Sequence, residues 1–252
     1  MVPASVGFQC PDCVRAGQGG SRAPKRAPLR SARRRWGTVT LSLIAVNVAM
    51  FVATAISAAT VGNNPLLQNY ASPLFNRLSQ VPVLVDSGEW WRLVTAAFLH
   101  IGPVHLALNM LALLVFGTEL ENAVGRWRFL AVYLLSILGG AAAIQLFGDP
   151  FTQVAGASTA LYGLLGALGV LLISRKQDLR GLAALLAINV LISVLVPGIS
   201  ILGHIGGFVA GALSAGALVL TRRNRALQIA GTVLLAAVLL VLSLAVSTVA
   251  VL

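Results

Sequence analysis

The chain has 252 residues, 58% of them hydrophobic and only 10% charged, and its mean hydropathy is +0.89. A water-soluble domain of this length cannot hide that much apolar surface, so the composition excludes one and defines a polytopic membrane protein. The formal net charge is +11, but no aromatic residues interleave the basic run, which argues against a nucleic-acid partner.

A spanning helix needs about 20 apolar residues. The long gaps between charges place seven helices, at roughly 38–60, 103–121, 128–147, 156–174, 180–196, 201–220 and 226–249. Pro197-Gly198 divides the long gap between Arg180 and Arg222 into two spans. With the N-terminus inside, all Lys and Arg except Arg77 and Arg92 fall in cytoplasmic segments. This positive-inside pattern predicts a cytoplasmic N-terminus and an extracytoplasmic C-terminus in a cell (inner or plasma) membrane. The basic segments are expected to meet anionic headgroups of the bilayer.

Residues 1–37 are rich in Arg, Gly, Ala and Pro, with no apolar run. They read as a disordered, basic cytoplasmic arm leading to a start-transfer helix. Both cysteines lie there, as Cys10-Pro11-Asp12-Cys13. Two thiolates at this spacing can form half of a tetrahedral zinc site. The three histidines lie far along the chain, so the alternatives are a half site, a metal-free remnant, or a start codon placed too late. The first span carries no ionisable group and reads as an anchor. Residues 61–97 form a long outside loop, and long loops tend to be functional. Within it, Glu89-Trp90-Trp91-Arg92 suits an interfacial belt, with plain anchoring or gating as its role.

The second span opens with His100-Ile101-Gly102-Pro103-Val104-His105 and continues to Asn109. Pro103 fits a first turn. His105 and Asn109, four apart, share a face, while His100 is expected before the helix, in the interface. Glu119, Glu121, Arg126 and Arg128 form a charged cluster at the inner end, read as structural. The third span, with Gly139, Gly140 and Ala141 to Ala143, reads as close-packed near its outer end. The fourth carries Gly156-Ala157-Ser158-Thr159, with Ser158 and Tyr162 on one face. The fifth shows little polarity. The sixth holds Gly203-His204, with His204, Gly207 and Gly211 on a face that admits another backbone. An ionisable group inside a span is a functional candidate by default. The seventh shows no chemistry.

Depth joins these residues. Asn109 lies 17 residues before Arg126, Ser158 17 before Arg175, and His204 18 before Arg222. At about 1.5 Å per residue, each stands roughly 25–27 Å above the inner charges, a few Å below the outer surface. Ser, His and Asn at one depth are the parts of an acyl-transfer site. His204 would take the Ser158 proton and return it to the leaving amine. Asn109 and the Ser158 backbone N–H would donate to the oxyanion, with His105 as a second donor or a water-positioning group. Tyr162 would pack on the His204 ring. No acid lies in the fourth or sixth span, and Asp149 is the one nearby loop acid, so a Ser–His dyad fits better than a triad.

With these residues in place, the chain resembles the rhomboid family of intramembrane serine proteases over roughly residues 38–220. The matching pieces are Trp91-Arg92, His105-x-x-x-Asn109, Glu119-x-Glu121 with Gly125-Arg126, Gly156-x-Ser158 with Tyr162, and Gly203-His204-x-x-Gly207-x-x-x-Gly211. The resemblance implies an all-α membrane bundle with a six-helix catalytic core (38–220) and an added seventh helix (221–252). It implies a Ser158–His204 dyad and an oxyanion site from His105, Asn109 and the Ser158 amide. It also implies cleavage of transmembrane protein substrates near the extracytoplasmic face, often after a small residue, without a cofactor. Trp91 and Arg92 would take a structural role in lateral substrate access, and Gly156 and Gly207 would support the site. Cys10-x-x-Cys13 is similar to the tail of a zinc-binding extension of some bacterial members. Thr159 stands where the family commonly has Gly, and a β-branched side chain there is expected to crowd the oxyanion pocket. The competing readings are a catalytically weak or inactive relative that binds transmembrane helices, and a small-solute channel or transporter. The sequence does not give the oligomeric state.

Overall fold

The structure is a computed structural model that describes residues 2–3, 8–9, 36–196 and 198–245. The chain divides into two compact units, 1–35 and 36–252. In the first, strands β1 (Val2–Pro3) and β2 (Phe8–Gln9) pair antiparallel, with Val2 opposite Gln9. The remainder of the expected arm, including Cys10 and Cys13, lies outside the described residues. So does the end of the seventh span beyond Ala245.

The second unit is a helical bundle. Among the described residues, five helices are long and apolar enough to cross a membrane, and two apolar helices are shorter. The first span is α1 (Thr38–Ala59). Its N-terminal N–H groups are met by a carboxylate from elsewhere in the chain. Glu121 accepts from the Thr40 N–H at 2.8 Å, the Thr40 hydroxyl at 2.9 Å and the Val39 N–H at 3.1 Å. A buried anion here satisfies donors that a helix start leaves without partners and complements the helix dipole. Part of the acidic cluster read from the sequence is thus a cap between helices.

The long loop is more ordered than expected. It contains three short helices, α2 (Pro73–Leu78), α3 (Pro82–Asp86) and α4 (Arg92–Thr95). Proline opens the first two, where its missing N–H costs nothing. Buried Arg92 ties them together. Its guanidinium donates to the carbonyls of Asn76 and Ser79, each at 2.6 Å, and pairs with Glu89 at 2.6 Å. Trp91 Nε1 donates to the Arg77 carbonyl at 3.2 Å. One cation thereby holds the last turn of α2, where carbonyls lack intrahelical partners. The loop is also stitched to the segment before Ser158, where Gln80 and Val154 exchange backbone hydrogen bonds of 3.0 and 2.8 Å.

The second span is not one regular helix. α5 (Gly102–Ala112) passes through a π-helical stretch, Leu113–Gly117, into α6 (Thr118–Val124). α7 (Arg126–Phe147) follows, then α8 (Ser158–Ser174), α9 (Arg180–Leu195), α10 (Ile201–Leu220) and α11 (Arg225–Ala245). α8 is the core helix. Eleven of its residues are buried, against Gln228 and Ser243 alone for α11. The core gathers Leu113, Leu120, Phe129, Tyr133, Leu161 and Leu164. The outer helices turn apolar side chains outward, among them Val104, Leu108, Val194 and Leu195. Such a surface is stable only against lipid.

The α1 cap has a measurable weight. Glu121→Ala is expected to lower stability in detergent by about 2 kcal/mol, since hydrogen bonds to a charged group are at stake. Glu119→Ala, at an exposed position, should change it by less than about 0.5 kcal/mol. Equal thermal unfolding curves for both variants would contradict the cap.

Candidate active site

The fourth span was expected from residue 156, but the helix begins at Ser158. The reason is Gly156, whose φ of +138° belongs to neither a helix nor an L-residue at ease. Its N–H donates to the Ala96 carbonyl at 3.0 Å, fixing the turn to the end of the loop. A Cβ added here would sit 3.0 Å from His105 Cε1, 3.2 Å from His105 Nε2 and 3.6 Å from Ser158 Oγ. Gly156 is therefore the spacer between the His105 ring and the Ser158 hydroxyl. Ala157, at the N-cap, supplies no side-chain hydrogen bond. The first-turn N–H groups have no intrahelical acceptor and face this space.

α10 brings His204 to Ser158. The Ser200 hydroxyl caps its start by accepting from the Gly203 N–H at 3.2 Å. One turn on, His204 Nε2 lies 2.8 Å from Ser158 Oγ. The Tyr162 ring stacks on the imidazole, with centroids 4.0 Å apart and planes at 13°. This closeness depends on Gly207 and Gly211. A Cβ at Gly207 would collide with the Thr159 carbonyl, and one at Gly211 with the Gly163 carbonyl. Small residues let the two backbones meet, as the spacing predicted. Thr159, expected to crowd the oxyanion pocket, has other neighbours. Its side chain packs against α7 and α10, where a Cβ at Gly140 or Gly203 would come within 3.0 Å of it.

The second nitrogen of His204 has a partner that sequence reasoning passed over. Nδ1 lies 2.9 Å from Ser193 Oγ on α9. The same oxygen is 2.9 Å from the Tyr162 hydroxyl and donates to the Asn189 carbonyl at 2.8 Å. Ser193 lies thirteen residues above Arg180, roughly 20 Å by helical rise and about a turn from the His204 level. Polar Asn189 and Ser193, four apart in an apolar span, were the available signal. No carboxylate reaches His204: its ring hydrogen bonds go to two serines. Asp149 instead accepts from the Phe151 N–H in its own turn.

α5 supplies the remaining polar groups. His105 Nδ1 accepts the Ile101 N–H at 3.2 Å, so the neutral ring carries its proton on Nε2, on the side of Gly156. Asn109 is buried and donates from Nδ2 to the His105 carbonyl at 2.9 Å. The amide has a second N–H. His100 precedes the helix, as expected, and is fully buried in the protein, 5.2 Å from the His105 ring. Burial first, then His105, pushes its pKa down to about 3, and the ring is neutral at pH 7. Ser158 thus meets His204, whose ring stacks on Tyr162; Gly156 lies beside Ser158 and His105, and Gly207 packs on the Thr159 backbone. Trp91 and Arg92 belong to the loop scaffold. Among the described residues no group of His, Cys, Asp and Glu could hold a metal ion.

The bundle and this cluster define a multi-pass helical membrane protein with a serine and a histidine in hydrogen-bond contact between two helices. Residues 87–222 match the model of the rhomboid domain. The chain is 38% identical over 209 residues to the rhomboid protease GluP of Bacillus subtilis (strain 168), covering 81% of this chain and 38% of that protein. It is 32% identical over 204 residues to RHOMBOID-like protein 6, mitochondrial, of Arabidopsis thaliana, covering 69% and 66%. It is 29% identical over 218 residues to the rhomboid protease AarA of Providencia stuartii, covering 72% and 73%. The chain belongs to the rhomboid family. It spans well under half the length of the Bacillus relative.

The turn at Gly156 is the most sterically committed point of the site. Gly156→Ala is expected to cost about 1–3 kcal/mol, from backbone strain and the push against His105. Thermal unfolding measures it, and wild-type stability in the variant would contradict the geometry.

Proposed function

We propose that this chain is an intramembrane serine endopeptidase that cleaves transmembrane proteins near the extracytoplasmic face. The observation that carries the reading is the 2.8 Å contact between His204 Nε2 and Ser158 Oγ, joined from two spans inside an apolar bundle. His204 accepts the Ser158 proton as the oxygen attacks the scissile carbonyl. The tetrahedral oxyanion is received by donors that need no reorganisation: the first-turn N–H of Ser158, His105 Nε2–H and the second N–H of Asn109. His204 then gives its proton to the leaving amine. The acyl-enzyme on Ser158 is released by water, with His204 again as base.

Each part has a physical counterpart. A neutral imidazole suits an apolar site, because burial disfavours the charged ring. Tyr162 limits rotation of that ring by stacking. The loop pinned by Arg92 is hydrogen-bonded to the strand-like segment before Ser158, which supports a role for Trp91 and Arg92 in shaping substrate entry. Two relatives bear the name rhomboid protease, and the charge distribution supports the orientation with the N-terminus inside.

Purified protein in proteoliposomes with candidate transmembrane substrates tests the reading, with products identified by mass spectrometry. Wild type should cleave within or near the outer end of the substrate helix. Ser158→Ala and His204→Ala should give no product. Asn109→Ala and His105→Ala should lower kcat about 100-fold, the loss typical of one oxyanion donor. Cleavage by Ser158→Ala at the wild-type rate would overturn it, and a wild type that binds substrate helices without cutting them would favour the inactive alternative.

A further inference from the structure

We infer that Ser193 is the positioning residue of the base: its oxygen fixes the tautomer and orientation of His204, and it is carried by the least buried helix around the site. The inference rests on the serine-protease reading above.

Protons and lone pairs assign the role of each partner. A serine hydroxyl has one proton and two lone pairs. Ser193 Oγ has three partners: the Asn189 carbonyl at 2.8 Å, the Tyr162 hydroxyl at 2.9 Å and His204 Nδ1 at 2.9 Å. A carbonyl only accepts, so the Ser193 proton goes to Asn189. Both lone pairs then face Tyr162 and His204, and each of these must donate. The Tyr162 O–H and the His204 Nδ1–H point at Ser193. An imidazole with its proton on Nδ1 presents a lone pair at Nε2, the atom 2.8 Å from Ser158 Oγ. Ser158 therefore donates to His204, which is the arrangement a general base needs. If Nε2 carried the proton, the ring would donate to Ser158 and could not take its hydrogen.

A triad carboxylate sets the tautomer by accepting from Nδ1–H. Ser193 Oγ accepts from the same atom without a charge. As Ser158 attacks, its O–H breaks, the proton moves to Nε2, and the ring becomes imidazolium with both nitrogens protonated. Ser193 keeps its own proton throughout and holds the cation through Nδ1–H···Oγ. Tyr162 serves twice, stacking on the ring and donating to the oxygen that orients it.

The placement of Ser193 adds a consequence. It is the one buried residue of the sixteen in α9, while Val194 and Leu195 beside it are 62% and 68% exposed. α9 therefore meets the rest of the bundle through few groups: Leu182 packs against the core near its start, and Ser193 reaches the site near its end. Withdrawing α9 would leave Ser158 and His204 on their Gly-packed helices but free the tautomer.

The test separates this inference from the protease reading. The full-length protein in detergent is labelled with a fluorophosphonate, and substrate kcat and KM are measured alongside. Wild type must label and Ser158→Ala must not; failure there sinks the protease reading. Ser193→Ala and Ser193→Val should slow labelling and lower kcat at least about tenfold, with KM within about twofold, because a misoriented base is lost rather than a binding contact. Ser193→Thr, which keeps the hydroxyl and its bond to residue 189, should stay within about threefold of wild type. In ¹⁵N-histidine-labelled protein, His204 should show the Nδ1–H tautomer in wild type and a mixture in Ser193→Val. A Ser193→Ala protein that labels at the wild-type rate, or an Nε2–H tautomer in wild type, overturns the inference. If Ser193→Val unfolds, Ser193→Ala against Ser193→Thr still decides it.

Discussion

A helix that starts inside an apolar bundle is the constraint on which the site depends. α8 begins at Ser158 because Gly156 holds a backbone angle no helix continues. At a surface, water would satisfy the first N–H groups of such a helix. Here the N-cap alanine offers nothing, and the surroundings are spans. Donors left this way have a strong demand for an acceptor. A forming oxyanion meets that demand, and the substrate carbonyl before attack meets it less well. In the proposed reaction the difference between the two is transition-state stabilisation. The short length of α8 has the same origin: the turn at Gly156 starts the helix only at Ser158.

The same environment decides how the base is held. A buried carboxylate beside His204 would carry a desolvation cost of several kcal/mol. The structure uses neutral hydroxyls instead, with each donor and acceptor of Ser193 matched. Low dielectric strengthens such bonds and makes an unmatched one expensive. Charge is used where water is close. Arg92 and Glu89 sit in the loop, and Glu121 at the inner end of α1 accepts from backbone N–H groups. The polar design is thus graded by depth, with ions at the margins and hydroxyls at the middle of the site.

That grading explains what the sequence makes legible. Seven apolar stretches and the basic asymmetry were readable because lipid imposes length and composition directly. Constant helical rise put Ser158 and His204 at one level, and the two are in hydrogen-bond contact. Gly207 and Gly211 announced a close approach by their spacing. Other features depend on contacts that no local pattern encodes. The short loop helices are set by Arg92 reaching back to Asn76 and Ser79, and Glu121 caps a helix some eighty residues away. The π-helical stretch at Leu113–Gly117 leaves no mark in an apolar run. The burial of His100 just before the helix start is likewise set by the whole fold and not by its neighbours in sequence. Ser193 lies in a span that reads as having little polarity, and a serine in a span is ordinarily a back-bonded residue. It is that too, through Asn189, and only the third dimension adds His204 and Tyr162.

The distribution of packing over the helices then separates two tasks. α8 and α10 meet at backbone distance through Gly207 and Gly211, and α7 joins them at Gly139 and Gly140. Interfaces this close admit little sliding, since any added atom would overlap. They carry Ser158, Tyr162 and His204, so the proposed nucleophile, the proposed base and its stacking partner are held by the most closely packed part of the bundle. α9 lies outside that group and buries one residue. In the proposed reaction a transmembrane substrate would enter between helices, and a helix with little buried surface is the less costly to displace. In this chain that helix bears the oxygen that orients the base. Entry through α9 would remove the orienting contact until the helix closed again, tying the activation of Ser158 to the return of Ser193.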